Sequence, residues 1–184
     1  NIKYDTLLEQ LDTPNEILKE SIAYILGEIG NNNFVEPLLS LLKRKENIDV
    51  KKNAIIALGK IGEPKAIEPL IDYTENPRVY WLLKKIVIDA LLKIYNDNWY
   101  KMNSNDKVKR LLIKNRERLI EYLRENNDEC YKIKHGIIKF LEKFGDKTAI
   151  NALFKNVNDF HRIIRISAQN AIKTISERLE ENGN

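Results

Sequence analysis

The sequence predicts an all-α protein built from stacked helical hairpins, on three observations. A fourteen-residue device recurs in the same order, an apolar L-L-x-x-L pattern returns five times, and an aliphatic–basic dyad holds one position on five amphipathic segments. The device reads I-L-G-E-I-G-N-N-N-F-V-E-P-L at Ile25–Leu38 and A-L-G-K-I-G-E-P-K-A-I-E-P-L at Ala57–Leu70. It reads F-L-E-K-F-G-D-K-T-A-I-N-A-L at Phe140–Leu153. Self-similarity at a near-fixed period implies units that bury their apolar faces only against one another.

The L-L-x-x-L series comprises Leu7, Leu8, Leu11; Leu38, Leu39, Leu42; Leu70, Ile71, Thr74; Leu119, Ile120, Leu123; and Leu153, Phe154, Val157. Spacing of i, i+1, i+4 places these side chains on one stripe of a helix, and they define the B helices. Longer amphipathic segments, the A helices, fall between them at 15–29, 49–61, 77–95, 131–144 and 161–180. Each carries the dyad: Leu18-Lys19, Val50-Lys51, Leu83-Lys84, Ile133-Lys134, Ile164-Arg165. The aliphatic member is expected to pack inward, and the basic one to lie along the surface with its charge in water. Asp12, Asn47, Asn76, Asp128 and Asp159 precede these helices as candidate caps or turn formers.

Gly30, Gly62 and Gly145 follow the last apolar residue of an A helix, where a left-handed residue ends a helix at little cost. Gly27 and Gly59 lie inside the helical pattern, each costing about 1 kcal/mol relative to Ala, which predicts close approach of a neighbouring helix. Pro37 and Pro69 belong in first turns of B helices, and Pro64 and Pro77 likewise mark starts. Intervals in the L-L-x-x-L series are 31, 32, 49 and 34 residues, so about 17 residues are inserted before the fourth B helix. The insert opens N-D-N-W-Y-K-M-N-S-N-D, Asn96–Asp106, read as a loop. A long helix to Arg124 follows, with Val108, Leu111, Leu112, Leu119 and Leu123 toward the core.

L-G-x-I-G, then A-I-x-P-L, then the dyad on the next helix resembles HEAT repeats of the short phycobilisome-lyase-like type. The resemblance runs from Leu7 to about Ser176, strongest at 21–75 and 131–172 and weakest at 77–118. It implies a right-handed α-α superhelix of about ten helices in five repeat units, a single domain over residues 1–184 with an irregular insert at about 96–112. It also implies that the B helices line a concave surface.

Composition bounds the rest. A 43% hydrophobic and 32% charged chain of 184 residues is ordinary for exposed helices. No apolar run approaches the roughly 20 residues that span a bilayer. The single cysteine, Cys130, excludes an internal disulfide framework and fits a reducing cytoplasm. Lys in excess of Arg, with abundant Ile and Asn, suggests an AT-rich prokaryotic genome. The first residue is Asn, and the apolar start at Ile2, Tyr4 and Leu7 suggests a preceding repeat, whereas the polar tail at Glu177–Glu181 reads as a cap.

No catalytic, cofactor-binding or metal-binding constellation emerges. His135 and His161 are far apart, and Cys130 with His135 is an incomplete zinc set. L-G-K-I-G lacks the spacing of a phosphate-binding loop. Iron-dependent hydroxylases related to HEAT repeats use His-Glu dipeptides, and this sequence has none.

Two surfaces remain as binding candidates. Residues 101–118 hold seven bases against two acids, a local +5 in a chain of net +4. Lys107, Arg110, Lys114 and Arg118 form a stripe on one helix face, with Trp99 and Tyr100 available to stack on bases. That stripe reads either as a solvated face or as a site for RNA, DNA or another polyanion, or for an acidic protein. On the concave ladder, Glu9, Ser40, Asp72, Glu121 and Lys155 lean acidic, which disfavours a phosphate backbone and favours a protein segment. Asp72, Tyr73, Glu121 and Tyr122 are the candidate contacts there, although both tyrosines also suit packing between B helices. The expected function is a non-catalytic scaffold with a protein partner; nucleic-acid binding is the alternative, and an accessory lyase-like enzyme is the third reading, by family analogy alone.

Overall fold

The computed structural model describes residues 4–99, 106–125 and 130–181. They form ten α-helices with short 3-10 turns and no strand. Two compact units divide the chain, Asn1–Lys109 and Arg110–Asn184.

The first unit contains α1 (Asp5–Glu9), α2 (Glu16–Ile29), α3 (Val35–Lys43), α4 (Ile48–Ile61), α5 (Ile67–Glu75) and α6 (Trp81–Asn98). Helices α2, α4 and α6 are the expected A helices and pack side by side, while α3 lies on α4 and α5 on α6. Asn15 starts α2 by accepting from the Leu18 amide at 3.1 Å, and Asn47 starts α4 by accepting from Val50 at 2.8 Å. Both helices stop at glycines with φ of +72°, Gly30 and Gly62, whose amides donate to Leu26 and Leu58. The apolar stripes fill the space between layers: Leu26, Leu38, Leu41, Ile55, Leu58 and Leu70 are fully buried, each contributing about 1.5–3 kcal/mol.

The interior glycines do what their positions predict. A methyl group on Gly27 would lie 2.7 Å from the Ala57 Cα, and one on Gly59 would lie 2.9 Å from the Ala90 Cβ. Pro37 and Pro69 sit in the first turns of α3 and α5. Pro77, by contrast, lies in a turn, and α6 begins at Trp81. Asn76 accepts from the Arg78 amide in that turn instead of capping α6, and Asp12 pairs with Arg44. Asp128 and Tyr100 lie outside the described residues.

The insert starts later than its composition predicts. Asn96–Asn98 form the last turn of α6, because the Asn98 amide is fully buried and donates to the carbonyls of Gly62 at 2.7 Å and Ile94 at 2.8 Å. Helix α7 (Asp106–Glu125) follows, with Leu112, Leu119 and Leu123 buried and Val108 and Leu111 only partly so.

In the second unit, α8 (Tyr131–Phe144) packs on α10 (Arg162–Glu181), which also covers α9 (Lys147–Phe154). Gly145 departs from expectation, being extended (φ −69°, ψ 159°) instead of left-handed. Arginines take over the capping. Arg178 donates to the carbonyls of Glu142, Lys143 and Gly145, and Arg116 to that of Phe144. A side chain on Gly145 would meet the Leu141 carbonyl oxygen and, at 2.9 Å, the Ile175 Cδ1.

The dyads hold the larger correction. Val50, Leu83, Ile133 and Ile164 are buried as expected, but Leu18 is 39% exposed. Lys19, Lys84 and Lys134 are themselves buried. Lys19 reaches Glu46 at 2.6 Å and Lys134 reaches Asp159 at 2.9 Å, each across the junction leading into the next A helix. A carboxylate at that junction lets the ammonium leave water, which an isolated charge does not do.

Candidate protein-binding groove

The first unit carries an open groove of about 660 Å³ where α3 and α5 run into the junctions before α4 and α6. Leu39 and Leu42 from α3, with Val79 and Leu83 around the second junction, give it apolar walls. Asp72 and Tyr73, both expected on a binding surface, line it from α5. Asp72 is exposed and Tyr73 partly buried. Burial pushes the Tyr73 phenol above its ordinary pKa, so it stays protonated and able to donate. Among the described residues its hydroxyl has no hydrogen-bond partner.

Three cations line the same groove: Lys43, Lys51 and Arg78. Its two carboxylates are Asp72 and Glu46, and Glu46 pairs with Lys19 with only 6% of its side chain exposed. The acid-leaning ladder read from B helices alone is therefore offset by bases of the A helices and junctions. Lys51 carried a signal in the sequence as a dyad member; Lys43 and Arg78 carried none, because neither lies in a repeated pattern.

The other candidates are dispersed. Glu121 is exposed and pairs with Arg124 at 2.9 Å, while Tyr122 is 7% exposed and sits in packing. On α7, Lys107, Arg110 and Lys114 are exposed and Arg118 is partly buried, 3.5 Å from the Asn115 side-chain oxygen. Arg116, counted in the local charge excess, is buried against Asp146. Trp99 ends α6, 36% exposed. Cys130 precedes α8, His135 lies on it, and His161 stacks on Tyr131 at 4.9 Å. Among the described residues no three His, Cys, Asp or Glu side chains converge as metal ligands, and no helix is long and apolar enough to cross a membrane.

Comparison with known proteins bears on the helical pairs of the first unit. The family model described as HEAT repeats matches residues 4–92. These residues are HEAT repeats. Among solved structures, the complex of CpcE and CpcF of phycocyanin lyase from Nostoc sp. PCC7120 is similar, with a TM-score of 0.68 at 16% identity. The match covers 96% of this chain and 66% of that one, so this chain spans just under two thirds of its relative. At that identity the likeness shows the fold, an all-α solenoid of HEAT type. A designed armadillo repeat protein (TM-score 0.42, 14% identity, 94% of this chain and 100% of that one) and human deoxyhypusine hydroxylase (0.45, 15%, 93% and 83%) are more distant. No curated protein sequence matches.

Proposed function

We propose that the chain is a non-catalytic interaction module that seats a segment of a protein partner in the groove of its first unit. The observation that carries this reading is the partly buried Tyr73, whose hydroxyl has no partner of its own in a groove lined by Leu39, Leu42 and Val79. Aromatic groups with one apolar face and one polar tip are favoured where protein segments dock. The similar solved structure is itself a complex of CpcE and CpcF, which supports a protein as the partner class.

The test is site-specific photocrosslinking from position 73, with position 177 on the exposed face of α10 as control. A partner recovered from position 73 should bind the purified chain, and Tyr73→Ala or Val79→Glu, the latter at a partly exposed wall position, should weaken that binding while circular dichroism confirms a folded chain. Binding unaffected by both changes excludes the groove.

A second reading, RNA or DNA on α7, is favoured by the exposed Lys107, Arg110 and Lys114 spaced along one helix. Gel-shift titration at two salt concentrations tests it, since several phosphate contacts give a steep loss of affinity with salt.

A further inference from the structure

The register of the repeats identifies the kind of segment the groove takes. Glu46 stands four residues before Val50 and accepts the buried Lys19; Asp159 stands five before Ile164 and accepts the buried Lys134. At the junction before α6 the same two places, five and four residues before Leu83, hold Arg78 and Val79. The stretch Asn76–Tyr80 contains no acid at all. Lys51, the dyad lysine facing this junction, accordingly has neither ion pair nor side-chain hydrogen bond among the described residues, although it is only partly exposed. It lies in the groove wall with Arg78, the cation that stands where a carboxylate stands elsewhere.

We infer that the groove binds an acidic stretch of a partner protein, one of whose carboxylates completes at Lys51 the ion pair that the chain supplies for itself at Lys19 and Lys134. This rests on the groove reading above and adds the partner's chemistry to it. Apolar side chains beside that carboxylate lie on Leu39, Leu42 and Val79. Asp72 on the same groove discriminates against a uniform polyanion, which would bring a phosphate against it as well as against the lysine. A carboxylate between Lys51 and Arg78 sits in a partly desolvated setting, where charge-assisted hydrogen bonds are worth most.

The experiment uses the full chain and two immobilised pools of randomised decapeptides. Both carry Leu and Tyr at the apolar positions; one carries Asp and Glu at the remaining positions and the other Asn and Gln. The acidic pool should be retained preferentially. Lys51→Met should lower its affinity by about ten- to a hundredfold, with Lys51→Arg restoring most of it. Lys147→Met, which removes an exposed lysine outside the candidate surfaces, should leave binding unchanged, and circular dichroism confirms that each variant is folded. Equal retention of both pools, lost in both with Tyr73→Ala, overturns the acidic class and leaves the groove reading standing. Retention of neither pool counts against both. Oligouridylate that binds better than the acidic pool, and loses that binding in Lys51→Met, reassigns the site to polyanions.

Discussion

The ammonium of Lys134 lies 2.9 Å from the Asp159 carboxylate, and the two side chains are only 8% and 10% exposed. Asp159 also accepts from the backbone amide of His161 at 2.8 Å. Burial alone would raise the Asp159 pKa, but the His161 amide and the Lys134 charge outweigh it and hold the carboxyl below its ordinary 3.8. A carboxyl depressed in the folded state stabilises the fold above its unfolded pKa, and that stability is lost as pH falls toward the folded value. Asp159→Asn should therefore cost about 3 kcal/mol at pH 7, because Lys134 is left buried without its counter-charge. The gap between wild type and variant should narrow below about pH 4. Urea unfolding at pH 7 and pH 3 measures it, and an equal gap at both values refutes the pairing.

Gly27 and Gly30 are three residues apart and resist alanine for different reasons. A methyl on Gly27 would stand 2.7 Å and 2.8 Å from Ala57 Cα and Cβ, whereas nothing lies within 4 Å of one on Gly30. Gly27→Ala gains about 1 kcal/mol of helix propensity but overpacks the α2–α4 contact by about 1–3 kcal/mol, a net loss. Gly30→Ala loses about 1 kcal/mol through its left-handed backbone alone. Adding Ala57→Gly should give back part of the packing loss in Gly27→Ala and none in Gly30→Ala. Equal coupling in the two denaturation cycles would contradict this.

Much of this architecture was readable because the features that encode it repeat. The stripe at Leu38, Leu39 and Leu42, the caps at Gly30 and Gly62, and the close approaches at Gly27 and Gly59 are local consequences of residue type at a known register. Gly145 was misread because its helix is capped by Arg178, more than thirty residues away, which no local pattern announces. The burial of Lys19 and Lys134 escapes a local reading for the same reason: their carboxylates come from the following junction. Asp72 and Tyr73 were placed on a binding surface from the B helices, but the groove also needs Lys51 and Arg78, from an A helix and a turn. Tyr122 has the same sequence context as Tyr73 and is buried, so that context does not decide exposure.

Asn98 should be among the least replaceable residues of the first unit. Its side-chain nitrogen ties the Gly62 carbonyl, just past the end of α4, to the last turn of α6. Asn98→Leu keeps most of the volume but leaves that carbonyl without this donor in a buried site, a loss of about 1–3 kcal/mol. Amide exchange at the ends of α4 and α6 should quicken together in the variant. Protection unchanged at both helix ends would show that the bond contributes nothing.

Lys19 and Lys51 hold the same dyad position, yet their removal should have different consequences for stability. Lys19 is buried with Glu46 at 2.6 Å, and Lys19→Met strands a carboxylate that is 6% exposed, costing about 3–5 kcal/mol. Glu46→Gln added to Lys19→Met should recover much of that, since the amide removes the uncompensated charge. Lys51 has no carboxylate to strand, and Arg78, a like charge, lines the same groove. Lys51→Met should therefore change stability by no more than about 0.5 kcal/mol, or raise it. Chemical denaturation of the three variants decides the matter. A cost for Lys51→Met matching that for Lys19→Met would mean that the lysine already has its counter-charge inside the fold, and the basis for an acidic partner segment would be gone.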